Sequence, residues 1–556
     1  MAHRFRSWPI RPRRAGLVAG TAVITAGLLA GAAPAVSALA APAVTQVRSS
    51  TDAACTTASL QSIVTLPHVT VTGAAENTTG SFTPPGTTTP ITGLPAFCDV
   101  TLTQTDPSGN GIHIEVWLPK NWNGNFQGVG GGGYSCGITY SGNVSSLSAG
   151  IQAGYATAST DCGHTVPPGQ TDTGSWALNA NGTLNWALIR DFASVGIHDM
   201  STVGKAVTNA FYPSDAKDAY FVGCSTGGRE GLMEAQQFPA DYNGIVSGAP
   251  AINWTKFIPS EIWPELVMNE SHDFLPTCIE NAFTESAVKA CTARDAVTDG
   301  WITDPMACDW SPYKLVGTVT PCGTITAQDA AIMLKIWNGP VNAAGKPLWY
   351  GLERGASLAG LAGTTTSSTG VTSPSPFFIT VQWLGTWLQK NPSWNWQTMT
   401  YAQFNRLFAQ SVNEFSNVIA TDNPDLSAFK KDGGKIILWH GLADELIFPM
   451  GTINYYQRVQ QAMGGAAATD TFARLFLAPG AQHCASAAGP APADPLSSLA
   501  KWVTKGQAPT SILATVTDPT TGVVTLSRPL CAYPEIGAQY TGHGSTSVAS
   551  NFTCRR

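Results

Sequence analysis

The chain has 556 residues, 43% of them hydrophobic and only 12% charged, which excludes a disordered protein and allows a large buried core. Its formal charge is −6, and an acidic surface argues against nucleic acid or an anionic membrane as a partner. Gly (56) and Pro (37) are abundant, so many loops are expected rather than long regular bundles.

Residues 1–40 stand apart. Arg4, Arg6, Arg11, Arg13 and Arg14 precede an uncharged Ala/Gly/Leu/Val stretch from Ala15 to about Ala33, and Ala38-Leu39-Ala40 offers a small-residue cleavage site. That order reads as a secretory signal peptide cleaved near Ala40, with an N-terminal membrane anchor as the alternative. The pair Arg13-Arg14 admits twin-arginine export without a full motif around it. These five arginines are the only charges before residue 41, so their removal leaves a more acidic mature chain. No later segment has about 18 uninterrupted apolar residues, so a soluble, secreted protein with no membrane partner is expected. The twelve cysteines agree with export and with up to six disulfides. Neither CxxC nor HExxH occurs, so the spacings do not suggest zinc.

Residues 41–110 are rich in Thr, Pro and Gly, with alternating pieces such as Val69-Thr70-Val71-Thr72. His113 to Leu118 alternates as a half-buried strand should. Asn125 to Val129 reads as a short strand entering Gly130-Gly131-Gly132-Gly133, and Gly154 to Ser159 as another ending in Thr160-Asp161-Cys162-Gly163-His164. Asp191 to Ala210 has helical spacing, Ala219 to Val222 is a short apolar strand, Arg229 to Gln237 is helical again, and Ile245-Val246 precedes Gly248-Ala249-Pro250. Strands alternating with helices imply a parallel sheet covered on both faces. Over 251–430 the texture changes to a Trp-rich segment with a Thr/Ser/Gly tract from Gly363 to Ser375. The buried-strand run Lys435 to Trp439 then restores the rhythm. The expectation is one α/β domain in two parts, 41–250 and 431–556, interrupted by an inserted lid at 251–430.

Two stretches fit G-x-S-x-G: Gly133-Tyr134-Ser135-Cys136-Gly137 and Gly223-Cys224-Ser225-Thr226-Gly227. A nucleophile elbow needs a strand before the serine and a helix after it. Ser225 has both, whereas Ser135 follows a glycine run and precedes no helix signal. A serine hydroxyl needs a histidine base, itself oriented by a carboxylate. In the α/β-hydrolase order the acid follows the serine and the histidine comes last. Asp444 lies in the loop after the 435–439 strand, at the active edge of a parallel sheet. His483 follows the strand-like run Arg474 to Leu477 within a flexible loop. These residues make Ser225, Asp444 and His483 the candidate triad, with His440 a structural residue at a strand end.

Together, Gly223-Cys224-Ser225-Thr226-Gly227-Gly228-Arg229-Glu230-Gly231, His440-Gly-Leu-Ala-Asp444, Gln482-His483-Cys484 and Thr160 to His164 resemble the tannase and feruloyl esterase family, which includes hydrolases of terephthalate monoesters. The resemblance covers about 55–554. It implies a disulfide between Cys224 and Cys484, which flank the nucleophile and the base. It also implies an oxyanion hole from the backbone N–H groups of Gly132 and Thr226, the glycine being uncertain by one position. Asp295-Ala296-Val297-Thr298-Asp299-Gly300-Trp301 has the oxygen-rich spacing of a calcium loop or of a polar turn. The resemblance favours structural calcium on the Asp295 and Asp299 side chains and the Val297 and Trp301 carbonyls. Thr292 stands where the family usually has a further Asp, which puts the site's affinity in doubt. Cys291 and Cys308 resemble the family's lid disulfide. Further expected pairs are Cys55–Cys98 and Cys531–Cys554, then Cys136–Cys162 and Cys278–Cys322, with these last four open to other pairing.

The fold expected is an α/β-hydrolase core with a large inserted lid. The activity expected is hydrolysis of an aromatic carboxylic ester, feruloyl esters of plant cell walls first, then galloyl (polyphenol) esters, then terephthalate monoesters. The Trp-rich lid is expected to supply an aromatic wall, although most of its tryptophans must serve core packing. The rivals are a lipase or peptidase of the same fold and an inactive hydrolase-like binding module.

Overall fold

A computed structural model describes residues 52–555 apart from 143–144, 167–170, 294 and 296. The expected signal peptide lies outside the described residues. Nine strands form the main sheet: β1 (Val69–Asn77), β2 (Phe97–Thr105), β3 (Gly111–Pro119), β4 (Phe126–Val129), β5 (Ala156–Thr160), β6 (Ala219–Cys224), β7 (Gly244–Gly248), β8 (Lys435–Gly441) and β9 (Ala473–Ala478). Their spatial order is β1-β2-β3-β5-β4-β6-β7-β8-β9. The first strands pair antiparallel, and from β5 through β4 to β9 every pairing is parallel. This is an α/β-hydrolase sheet.

Alternation along the parallel strands sends their side chains into two different cores. Tyr220, Val222, Val246, Ile437 and Trp439 share one core with Leu499 and Trp502. Phe221, Ile245, Ile436 and Leu438 share the other with Met200, Val207 and Leu232. The helices that supply those partners are α1 (Gly196–Phe211), α2 (Thr226–Gln237) and, for the first core, Pro495–Lys505. In α1 the buried Met200, Val203, Val207 and Phe211 recur at helical spacing, which is the apolar stripe a surface helix needs. The His113–Leu118 strand is more buried than its alternation suggested. Within β3 every residue from Ile114 to Pro119 is buried, because both faces are covered: Ile114, Val116 and Leu118 join one apolar cluster and Trp117 joins another with Phe97, Leu147 and Ile151. Inward-facing Glu115 is satisfied by Trp117 Nε1 and the Tyr140 hydroxyl at 2.8 and 2.7 Å.

The chain leaves the sheet after β7 and returns at β8, which pairs with β7 in parallel. The residues between carry several helices, among them α3 (Trp254–Ser260) and α4 (Tyr401–Ile419). These two are tied by Ser411 Oγ donating to Thr255 O at 2.8 Å. The segment has no separate core: Trp254, Trp383, Trp387 and Phe404 belong to the same cluster as the sheet residues Ile114 and Leu438. Among the described residues no helix is long and apolar enough to cross a membrane.

Candidate active site

Ser225 sits between β6 and α2 with φ 63° and ψ −125°. A side-chain-bearing residue held there is strained and persists only when its surroundings over-determine it. The surroundings here are glycine. A Cβ on Gly223 would overlap the Gly227 backbone, and one on Gly228 would overlap the Gly248 carbonyl. The turn can therefore be this sharp only with those glycines. Helix α2 begins at Thr226, earlier than its apolar pattern suggested, so its N-terminus lies beside the serine, with the Gly227 N–H donating to Gly131 O at 3.0 Å.

Asp444 and His483 come together from the loops after β8 and β9. His483 Nδ1 lies 2.9 Å from Asp444 Oδ2. Asp444 is fully buried, and its Oδ1 accepts the N–H groups of Leu446 and Ile447 at 2.9 and 2.8 Å. Burial alone would raise this carboxyl, but the His483 charge and hydrogen bonds from His440 and His483 hold it well below the usual carboxylate range. For His483, burial favours the neutral ring, yet Asp444 outweighs it and raises the imidazole above its ordinary value. His440 is buried with Nδ1 2.8 Å from Thr452 Oγ1 and Nε2 3.1 Å from Asp444 Oδ2. It is a structural residue with a specific task, fixing the acid's second contact. The His483 N–H donates to Glu445 Oε2 at 3.1 Å.

Ser225 and His483 line one cleft, with Thr226 and Gly133 on its floor and Trp254, Phe257, Phe377 and Ile379 among its apolar walls. Of the Trp-rich segment, Trp254 alone reaches this wall among the lining residues, while Trp263, Trp310, Trp337, Trp383, Trp387 and Trp396 are packed into the core. Gly133 lines the cleft and Gly132 does not. The space where a Cβ on Gly132 would sit is open to 4 Å, whereas one on Gly131 would overlap the Cys136 carbonyl. Thr226 Oγ1 donates to Gly133 O at 2.8 Å. Buried Glu230, on α2, accepts the Gly131 N–H at 3.0 Å. Burial pushes the Glu230 carboxyl up to about 7, against the pull of Arg229 and that N–H. The far end of the glycine run is held by His164, whose Nε2 lies 2.8 Å from Tyr134 O, and by the Cys136–Cys162 disulfide. Ser135 donates to Gly132 O at 2.8 Å and is absent from the cleft's lining residues.

The sequence model described as "Tannase and feruloyl esterase" matches residues 98–555. The chain belongs to the tannase and feruloyl esterase family. As a member of that family it is a carboxylic ester hydrolase of the feruloyl-esterase type. A probable feruloyl esterase of Arthroderma benhamiae is 43% identical over 484 residues, covering 85% of this chain and 88% of that protein. A mono(2-hydroxyethyl) terephthalate hydrolase of Piscinibacter sakaiensis is 30% identical, covering 83% and 85%. Among solved structures, a tannin acyl hydrolase from Aspergillus niger superposes with TM-score 0.76 at 26% identity, covering 89% of this chain and 95% of that one. Feruloyl esterase B from Aspergillus oryzae gives TM-score 0.76 at 26% identity, covering 89% and 100%.

Six disulfides join Cys55–Cys98, Cys136–Cys162, Cys224–Cys484, Cys278–Cys322, Cys291–Cys308 and Cys531–Cys554. Cys224–Cys484 spans 260 residues of sequence and places the neighbours of Ser225 and His483 6.0 Å apart at their Cα atoms.

In this esterase Asp295, Val297, Asp299 and Trp301 line one cavity with Arg528. Asp299 Oδ2 meets Arg528 Nη2 at 3.3 Å, while the buried Asp299 Oδ1 has no partner. Asp295 Oδ2 accepts the Thr303 N–H at 3.1 Å. Two carboxylates from one loop, one with an unsatisfied buried oxygen, fit a hard divalent cation. Arg528 is the protein's own competitor for Asp299. The Thr292 hydroxyl donates to Val288 O at 2.7 Å, back into its own helix.

Three acids near this machinery had no role assigned from sequence: Glu230, Glu261 and Glu445. Glu230 lies inside the Gly227-Gly228-Arg229-Glu230-Gly231 run, which is the sequence signal that marks it. Glu261 is a single acid between Ser260 and Ile262, with no pattern to mark it.

Proposed function

We propose that this chain is a secreted serine esterase that releases a hydroxycinnamic, feruloyl-type acid from plant cell-wall esters through Ser225, His483 and Asp444. The observation that carries the triad is the shared cleft of Ser225 and His483, with His483 Nδ1 already committed to Asp444. That bond leaves Nε2 as the ring atom able to take the serine proton. Ser225 Oγ attacks the ester carbonyl as His483 removes its proton. The tetrahedral oxyanion is stabilised by the N–H groups of Thr226 and Gly132, with Gly133 adjoining. His483 then returns the proton to the departing alcohol, and water releases the acid from the acyl-serine by the same steps. Buried Asp444 keeps the imidazole in the required tautomer.

Export is supported by the signal-like first forty residues and by six disulfides, which need an oxidising compartment. The 295–301 loop is assigned a structural calcium ion on Asp295, Asp299 and the Val297 and Trp301 carbonyls. When bound, such an ion neutralises two carboxylates and stiffens their loop.

The test is acid release from methyl ferulate, methyl gallate and a terephthalate monoester by the mature protein. The Ser225→Ala variant is expected to lose at least about 10⁴-fold in rate. Retained hydrolysis in that variant would remove Ser225 from the mechanism. Preference for the terephthalate monoester would replace the feruloyl assignment.

A further inference from the structure

Glu261 follows α3 and lines the same cleft as Ser225 and His483. It is 2% exposed, and its Oε2 is buried without any hydrogen-bond partner. The wall around it is apolar: Trp254, Phe257 and Ile258 from its own segment, and Phe377 and Ile379. The Tyr134 hydroxyl is close enough to be affected by the Glu261 charge, yet it donates to Ile379 O at 2.9 Å. No Lys or Arg is among the residues lining the cleft. Burial, reinforced by the Asp444 charge, holds the Glu261 carboxyl well above the usual carboxylate range. A neutral carboxylic acid offers one O–H donor and a carbonyl acceptor side by side.

An unpartnered buried polar group costs stability and calls for an explanation. Here the group belongs to the apolar lining of the cleft that holds Ser225 and His483, and its Oε2 has no hydrogen-bond partner among the described residues. We infer that Glu261 is a specificity-determining residue whose carboxyl hydrogen-bonds a ring hydroxyl of the substrate's acyl group. This rests on the esterase reading above and sharpens it. The substrate class is an ester of a hydroxylated aromatic acid, whose phenol can donate to and accept from one carboxyl. A terephthalate monoester would bring a carboxylate to an acidic wall that lacks a cation, and it is disfavoured.

The experiment compares kcat/KM for methyl 4-hydroxycinnamate, methyl cinnamate and a terephthalate monoester in the wild-type protein, Glu261→Gln and Glu261→Leu. The wild type is expected to prefer the hydroxylated ester to methyl cinnamate by at least about tenfold, because a site built to bond a hydroxyl rejects the analogue lacking it. Glu261→Leu is expected to erase that preference, lowering kcat/KM for the hydroxylated ester by more than it changes that for methyl cinnamate. Glu261→Gln, which keeps a donor and an acceptor, should retain most of it. The melting temperature of Glu261→Leu should stay level or rise, since an unpaired buried carboxyl is replaced by an apolar group. Equal losses on both cinnamates would mark Glu261 as structural and overturn the inference, as would a wild-type protein indifferent to the hydroxyl. That second comparison needs no variant to fold. Ser225-dependent hydrolysis of methyl cinnamate tests the esterase reading separately: if it is present without hydroxyl preference, only the Glu261 inference falls, and if neither ester is cleaved, both fall.

Discussion

Residue by residue, the chemistry turns on how two side chains set each other's proton affinity. His483 must be neutral to accept the Ser225 proton. Burial favours that form, but the Asp444 carboxylate 2.9 Å away favours the charged ring and prevails. The acid limb of the kcat/KM–pH profile is therefore expected above the ordinary histidine value of about 6.5. Activity is present above that inflection and is lost as pH falls through it. In Asp444→Asn the inflection should move down and kcat should fall by about 10⁴-fold, the scale of losing the correct tautomer. His440 also faces Asp444 Oδ2, at 3.1 Å, so the carboxylate stays anchored when His483 titrates. A profile with its limb unmoved in Asp444→Asn would separate the acid from the base and dissolve the proposed triad.

Among elements, the site is the meeting of three loop ends, those after β6, β8 and β9, and the Cys224–Cys484 bond ties the first to the last. With five other disulfides present, reductant alone cannot isolate its role, whereas a Cys224→Ala/Cys484→Ala double variant can. That variant is expected to lose about 2–4 kcal/mol of stability and more than tenfold in kcat while still folded. Full activity in the folded double variant would show that the bridge does not position the triad. This scale also shows what could be read from the chain. The elbow at Ser225 was legible because strand, tight glycine turn and helix are written in consecutive residues. The loops bearing Asp444 and His483 were legible because each follows a short apolar strand. The start of α2 was missed by three residues, since Thr226, Gly227 and Gly228 are poor helix formers that tertiary packing overrides. Glu261 was not legible at all: its significance lies in the apolar walls of Phe377 and Ile379, more than a hundred residues away, and in an Oε2 without a hydrogen-bond partner among the described residues.

For the whole molecule, the question is what holds the segment between β7 and β8 to the rest. Part of the answer is a continuous core, and part is the 295–301 loop. Its Asp299 faces Arg528 on the C-terminal strand Val524–Cys531. Its Trp301 packs so closely on Gly480 that a Cβ there would overlap the indole. Gly480 lies three residues before His483, so this joint connects the inserted segment, the strand Val524–Cys531 and the loop of the base. A cation bound by the folded state alone stabilises it by mass action, by about 2.7 kcal/mol at a hundredfold excess over Kd. Chelation is therefore expected to lower the melting temperature by a few degrees, with calcium restoring it and magnesium doing so less well because it demands stricter geometry and gives up water reluctantly. Thr292→Asp, which supplies a further carboxylate at the end of the preceding helix, should enlarge the calcium-dependent shift. Arg528→Gln should enlarge it too, because Asp299 Oδ2 would lose its competing cation. A melting temperature indifferent to chelator and calcium in the wild-type protein, with the shift appearing only in Arg528→Gln, would assign Arg528 the role proposed for the metal. Indifference in all three proteins would remove calcium from the loop altogether.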